Sequence, residues 1–333
     1  MSLRFTTLIV ALALLTAACS GADDTPSITV YSGRSEELVA PLIQQFEDAS
    51  GISVEVRYGD SAELAATILE EGANSPADVF FAQDPASLGV VALGDLFTTL
   101  QTDVLSRVPR RFNDSDGTWV GVSGRARVVV FDTTRLDEAE LPVDEAAFAD
   151  PEWAGRVAIA PTNGSFLAFV AAKILLDGEP ATLDWLQGMA ANGAPTYPNN
   201  SSIVAAVDSG EIEAGLVNHY YLFRRIAEEG DVVAANHFFD GAGAASLVMP
   251  AGAGILASST SQDAAADFVE FLLSAQAQEY FANETFEYPL VNGVAANPAL
   301  PTLDSIATPA IDLSRLAEVL DRATDLVAEA GLL

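Results

Sequence analysis

Cysteine, lysine and histidine are almost missing from this chain. Cys19 is the single cysteine, Lys173 the single lysine, and His219 and His237 are the only histidines in 333 residues. One cysteine excludes a disulfide within one molecule and any cysteine-based zinc or redox centre. Two histidines, no Gly-x-Ser-x-Gly turn and no zinc-ligand spacing give a secreted hydrolase or zinc enzyme little to work with. Paired carboxylates carry no weight as a hydrolase signal, because Asp and Glu together number 47. Positive charge is scarce too, with 15 Lys and Arg and a net charge of −32. Such a surface repels nucleic-acid phosphates and anionic membranes, and neither is an expected partner. A solvated exterior, salt adaptation and local enrichment of cations all fit this acidity, and composition does not separate them.

The apolar stretch Leu8 to Leu15 lies between Arg4 and Thr16-Ala-Ala-Cys19. It is too short for a membrane span and has the layout of a secretory signal. A cysteine directly after small residues looks like a bacterial lipoprotein processing site, although Thr16 stands where Leu is usual. Residues 1–19 are therefore expected to be a signal peptide with Cys19 as the lipidation site, and residues 20–26 a solvated tether. The mature chain is expected in the periplasm or at the cell surface, lipid-anchored, touching the membrane through that anchor only.

The remaining length suffices for two ordinary domains with substantial cores. Strands over Ile28–Tyr31, Ile52–Arg57 and Ala77–Phe81 alternate with helices over Glu36–Ala49 and Ala62–Glu71. This βαβαβ order predicts an α/β fold with a mostly parallel sheet. A second series has strands at Val157–Ala160 and Ala214–Val217, with helices at Ser165–Leu176, Pro180–Ala191 and Ile203–Ser209 between them. The long strand-like run Trp119 to Phe131 suits a crossing between two lobes, and a second crossing is expected near Ser246–Leu256. The lobes are expected to comprise residues 27–124 with 250–300, and 125–249 with 301–333. Ligands of such sheets bind in the cleft at strand ends and helix N-termini.

Several polar clusters fall at those strand ends. Tyr31-Ser-Gly-Arg-Ser35, Tyr58-Gly-Asp-Ser61 and Ala82-Gln-Asp84 follow the first three strands. Pro161-Thr-Asn-Gly-Ser165 and Pro198-Asn-Asn-Ser201 open helices in the second series. The exposed amides of the former make either an anion site or an ordinary N-cap. The most telling cluster is Gly215-Leu-Val-Asn-His-Tyr-Tyr-Leu-Phe-Arg-Arg225, which predicts a strand, an N-cap at Asn218 and a helix over Tyr221–Glu229. Neighbouring strand residues point to opposite faces, so two consecutive tyrosines converge on one ligand only where the backbone leaves the strand. Two deprotonated phenols offer hard, anionic oxygens suited to ferric iron. The alternative puts one ring in the core and the other on the surface.

Ile28-Thr-Val-Tyr-Ser-Gly33, Ser75-Pro-Ala-Asp-Val-Phe80, Ser123-Gly-Arg-Ala-Arg-Val128, Ala160-Pro-Thr-Asn-Gly-Ser165, Asn218-His-Tyr-Tyr221 and Glu287-Tyr-Pro-Leu290 are six ordered motifs spread along the mature chain. Together they resemble the periplasmic ferric-ion-binding proteins, the substrate-binding components of bacterial iron ABC importers. The resemblance implies a two-lobed periplasmic binding protein of type II, a monomer, closing on Fe(III) and docking on an ABC importer permease. It implies Tyr220 and Tyr221 as phenolate ligands. Asn163, Gly164, Ser165, Asn200 and Asn218 match positions that hold a synergistic anion, carbonate or phosphate, and Arg34 matches an arginine that anchors carbonate. Ser35, Gln83 and Ile159 depart from the family, standing where some members have His, Glu and a third Tyr. Tyr58 and Gln83 are then the candidates for the first-lobe side of the metal. His219 is expected to support the site and Tyr288 to pack. The competing reading is a binding protein of the same fold for an oxyanion, polyamine or thiamine; an oxyanion receptor has no need of two adjacent phenols.

Overall fold

In the computed structural model, residues 25–333 are described; the expected signal sequence, Cys19 and most of the tether lie outside the described residues. The first series folds as β1 (Ser27–Ser32), α1 (Glu36–Ser50), β2 (Ser53–Tyr58), α2 (Ser61–Glu71), β3 (Val79–Ala82), α3 (Pro85–Leu93) and the short α4 (Thr102–Leu105). After β4 (Trp119–Asp132) come β5 (Val157–Ala158), α5 (Gly164–Asp177), α6 (Glu179–Ala191), α7 (Asn200–Asp208), β6 (Ala214–Asn218), α8 (Tyr220–Glu229) and β7 (Ala234–His237). The chain returns through β8 (Val248–Ile255), α9 (Gln262–Leu272), α10 (Ala275–Asn283) and β9 (Tyr288–Pro289), and ends in α11 (Leu320–Glu329).

Burial follows position in the sheet. β2, at one edge, alternates exposed and half-buried residues, whereas all fourteen residues of β4 are buried. A strand covered on both faces is buried along its length, and Trp119–Phe131 is mostly apolar with Ser123, Arg125 and Arg127 buried inside it. The strand order is β2-β1-β3-β8-β4-β6-β5, with β7 and β9 also pairing on β4. The first part of β4, Trp119–Ala126, runs antiparallel to β8, and from Arg127 onward it pairs with β6 instead. That change of partner is how one strand serves both lobes. The second crossing, β8, lies inside the expected Ser246–Leu256 window. The turn Leu313–Val319 packs on α3 as well as on α5, so the C-terminal segment touches both halves of the molecule.

Parallel registry aligns the first-lobe strand ends: Ser32 lies opposite Tyr58 on β2 and Phe81 on β3. The residues that follow, from Gly33 to Ser35 and at Gln83, therefore share one rim with Tyr58. Strand and helix ends otherwise differ from expectation by one or two residues, except α7, which starts at Asn200, three residues before the expected Ile203. The strand expected over Val157–Ala160 stops at Ala158, and Ile159 makes an isolated bridge with Thr196.

Gly215 on β6 shows how closely this scaffold is packed. A Cβ there would sit 2.2 Å from Ile203 Cγ2, and Ile203 is fully buried on α7. Overpacking of this kind costs about 1–3 kcal/mol. Gly215→Ala should lower the unfolding free energy by that amount in urea titration; an unchanged midpoint would mean that α7 yields at no cost.

Candidate metal centre

The tyrosine pair stands where β6 gives way to α8. The expected N-cap at Asn218 is not found. Asn218 stays in the strand, its N–H donating to Asn200 Oδ1 at 3.3 Å, and His219 occupies the N-cap position without capping through its side chain. The reason lies in how His219 is held. It is fully buried, its Nε2 donates to the Phe286 carbonyl at 2.8 Å, and its Nδ1 accepts from the Ala126 N–H at 3.1 Å. Both ring nitrogens are engaged, so His219 braces the turn and has none free for a metal. Tyr288 packs on its ring at 5.0 Å.

Starting the helix at Tyr220 puts both phenols on its first turn. Their rings stack, with centroids 4.2 Å apart and planes 29° apart. Tyr220 is buried and Tyr221 partly so. Tyr220 belongs to the buried core and Tyr221, partly exposed, stacks on it, so the two phenols lie side by side at one place on the helix.

Two buried arginines face the doublet. Arg34 follows Gly33, where a Cβ would sit 1.9 Å from Ser61 Oγ, so the loop after β1 lies tight against α2. Arg34 pairs with buried Glu287, which also accepts from Ser123 Oγ. Burial lowers the Arg34 pKa, but Glu287, Tyr220 and Tyr221 together outweigh it and the net shift is upward. Among the described residues Arg125, on β4, has no carboxylate partner, and its Nε and Nη1 are buried without a hydrogen bond. Burial, then the Arg34 charge, holds its pKa below the usual value. An unpaired buried charge is expensive to maintain and marks a place where a counter-charge belongs. The Tyr220 phenol is pushed well above its ordinary pKa by burial first and by Tyr221 next, with Arg34 and Arg125 pulling the other way. Without a cation the Tyr220 phenol stays protonated.

The anion turn is assembled but self-satisfied. Asn163 caps α5, and its Oδ1 accepts from Ser165 N (3.2 Å), Ser165 Oγ (2.6 Å) and Asn200 Nδ2 (3.2 Å). Gly164 opens the helix with clear space beside its Cα. Asn163 is thus the ordinary cap and part of the polar pocket at once. Behind it, Arg127 donates to the Ser165 and Leu216 carbonyls, each at 3.3 Å, and lies over Phe169 at 4.9 Å. Burial pushes its pKa down to about 9 against the pull of Glu145.

On the first-lobe rim, Tyr58 is half-buried, and its phenol is raised by burial and by the charge of Glu36. The Gln83 N–H donates to Ser61 Oγ at 2.9 Å. The two lobes meet beside the doublet. Glu37 Oε2 accepts from Arg224 Nη2 at 2.9 Å, and Phe223 stacks on Phe286 at 5.4 Å. The structure thus brings Tyr220, Tyr221 and Arg34 together and gathers Asn163, Gly164, Ser165, Asn200 and Asn218 into a second cluster. Tyr58 and Gln83 stand on the first-lobe rim that also carries the Arg34 loop. Sequence reasoning gave no role to Arg125 or Glu287. The available signal was charge inside apolar runs of a chain poor in cations.

Residues 74–309 match the profile of the bacterial extracellular solute-binding proteins. The major ferric iron-binding protein of Neisseria meningitidis serogroup B is 36% identical over 330 residues, covering 96% of this chain and 98% of that protein. Among solved structures, iron-bound HitA from Pseudomonas aeruginosa superposes with a TM-score of 0.88 at 33% identity, covering 92% of this chain and 99% of that one. The Trichodesmium protein in complex with iron and citrate gives a TM-score of 0.78 at 26% identity, covering 92% and 99%. The fold is accordingly the two-lobed type II binding protein.

His219 carries a pH signature. Burial, opposed by its bonds to Phe286 and Ala126, pushes its pKa down to about 4. An unfolded histidine titrates near 6.5, so the unfolded chain binds the extra proton between those values. The stabilisation is complete above about pH 6.5 and is lost as pH falls toward 4, amounting to about 3 kcal/mol. Urea titrations at pH 7.5 and 4.5 should show a larger acid loss in the wild type than in His219→Gln. Equal losses would mean that the ring is not held neutral.

Proposed function

The chain belongs to the bacterial extracellular solute-binding protein family, and from that premise we propose that it binds ferric iron outside the cytoplasm and delivers it to an ABC importer. The observation that carries this reading is the stacked tyrosine pair, Tyr220 buried and Tyr221 partly so, beside two buried arginines. Tyr220 and Tyr221 supply two phenolates. A trivalent ion provides the attraction that burial otherwise denies them, so binding releases protons and weakens as pH falls. Tyr58 and Gln83 stand on the first-lobe rim as candidate partners of the same ion.

Two phenolates leave a trivalent ion with one unit of positive charge, which calls for an anion with the iron. Arg34 offers a guanidinium for a small oxyanion such as carbonate or phosphate, and Arg125 offers unsatisfied donors beside it. Asn163, Gly164, Ser165, Asn200 and Asn218 form a second polar pocket suited to the same kind of ligand. The related Trichodesmium protein holds iron together with citrate, which supports iron accompanied by an oxygen-rich anion. The protein acts by binding and release, without catalysis. Lobe closure follows from the ion touching both sides, since a ligand shifts an equilibrium only by its differential affinity. The closed form is what the permease reads. Cys19 carries the lipid anchor, and the mature protein works as a monomer; among the described residues no helix is long and apolar enough to cross a membrane.

Metal-free mature protein titrated with chelated ferric iron should develop a visible phenolate-to-iron charge-transfer band. Tyr220→Phe and Tyr221→Phe should each weaken the band, and the double variant should abolish it. Undiminished iron binding in the double variant would favour the oxyanion receptor.

A further inference from the structure

Away from the tyrosine cleft, a second hollow carries charge that the iron site does not use. A cavity of about 620 Å³ lies between the turn Arg110–Phe112 ahead of β4, the start of β8 and the C-terminal segment from Thr308 to Leu313. Buried Phe112, Leu247 and Val248 line it, together with half-buried Pro309 and Ile311. A largely apolar lining and a volume of this order are those of a small-molecule site. No residue of the tyrosine doublet, of its two arginines or of the anion turn lines this cavity.

Arg110 and Arg111 both line the cavity and both are exposed. The Arg111 guanidinium carbon lies 4.8 Å from the centre of the Phe112 ring, itself one of the walls. Among the described residues neither arginine has a carboxylate partner. Every other arginine there that reaches solvent is paired with Asp or Glu. In a chain with 47 acidic and 15 basic residues, pairing is the ordinary state of an exposed cation, and two adjacent exceptions mark one place. Asp312 also lines the cavity but pairs with neither. Its Oδ1 accepts from the Ser314 N–H at 3.1 Å and from Ser314 Oγ at 2.6 Å, capping the turn that follows. With a net charge of −32 the surface at large repels anions, so this doubly cationic, apolar hollow reverses the local sign.

We propose that this cavity binds a small organic carboxylate, its charged end held by Arg110 and Arg111 and its aliphatic or aromatic body against Phe112, Val248 and Ile311. A guanidinium matches the two oxygens of a carboxylate with parallel N–H bonds. Burial of the ligand's apolar body supplies the rest of the affinity. The site goes beyond the ferric reading and does not rest on it. Its walls are the turn before β4, the start of the crossing strand β8 and the segment leading into the turn that packs on both α3 and α5. The ligand therefore sits on the frame that joins the two halves.

The test titrates metal-free mature protein with hexanoate and 3-phenylpropionate, and with their neutral amides, by ligand-observed nuclear magnetic resonance in low-salt buffer. At least one carboxylate should bind saturably and at least tenfold more tightly than its amide. A hollow that only absorbs apolar groups would favour the amide, because the chain repels anions. Arg110→Gln combined with Arg111→Gln should weaken carboxylate binding at least tenfold. Arg135→Gln, at an exposed arginine paired with Glu213, should leave it unchanged. Arg110 and Arg111 are exposed, so thermal unfolding of the double variant should match the wild type. An amide that binds as tightly as its acid, or no saturation by either carboxylate, overturns the proposal. So does carboxylate binding that survives the double variant; its loss in Arg125→Gln would then place the anion in the cleft beside the tyrosines. The ferric reading stands apart from these outcomes, since its charge-transfer band does not involve Arg110 or Arg111.

Discussion

Everything in the cleft depends on how charge is balanced where water is scarce. Tyr220 is buried against Tyr221, with Arg34 and Arg125 also out of solvent beside them. Glu287 neutralises Arg34, whereas Arg125 has no acid of its own. The Tyr220 phenol does not ionise unaided in such surroundings, because burial penalises the charged form. A small, highly charged cation with a companion anion resolves both sides of the imbalance at once. The site is therefore poised, and the ligand completes it.

The scaffold explains why these groups can be neighbours. β4 runs continuously from the first sheet into the second, carrying Ser123 and Arg125 past Glu287 and then Arg127 past the α5 turn. Parallel β1, β2 and β3 end in register and present Arg34, Tyr58 and Gln83 along one rim. His219, locked through both ring nitrogens, fixes the turn that starts α8 at Tyr220. Second-lobe oxygens thus come from one rigid helix turn, and first-lobe groups from loops resting on a sheet. That division suits a receptor whose halves must part and meet.

Much of this was legible in the sequence. Period-two and helical patterns marked the βαβαβ order, and the long strand-like run Trp119–Phe131 marked the crossing strand by its length and its Val-rich second half. The tyrosine doublet was legible because adjacent phenols gain a common target only at a strand end. Asn218 misled: its side-chain type favours an N-cap, but strand pairing with Arg127 and the buried His219 outweighed that local preference. The roles of Arg125 and Glu287 were not legible, since a charge inside an apolar run reads alike whether it is paired, solvated or facing a ligand. Pairing between residues more than 160 positions apart, as between Ser123 and Glu287, has no local signature.

The most direct measurement of the central claim is anomalous diffraction at the iron edge from crystals of the iron-loaded mature protein. The account predicts one strong peak between the lobes, within coordination distance of the Tyr220 and Tyr221 phenol oxygens. A peak elsewhere, or none near that pair in crystals shown by emission to contain iron, would contradict it.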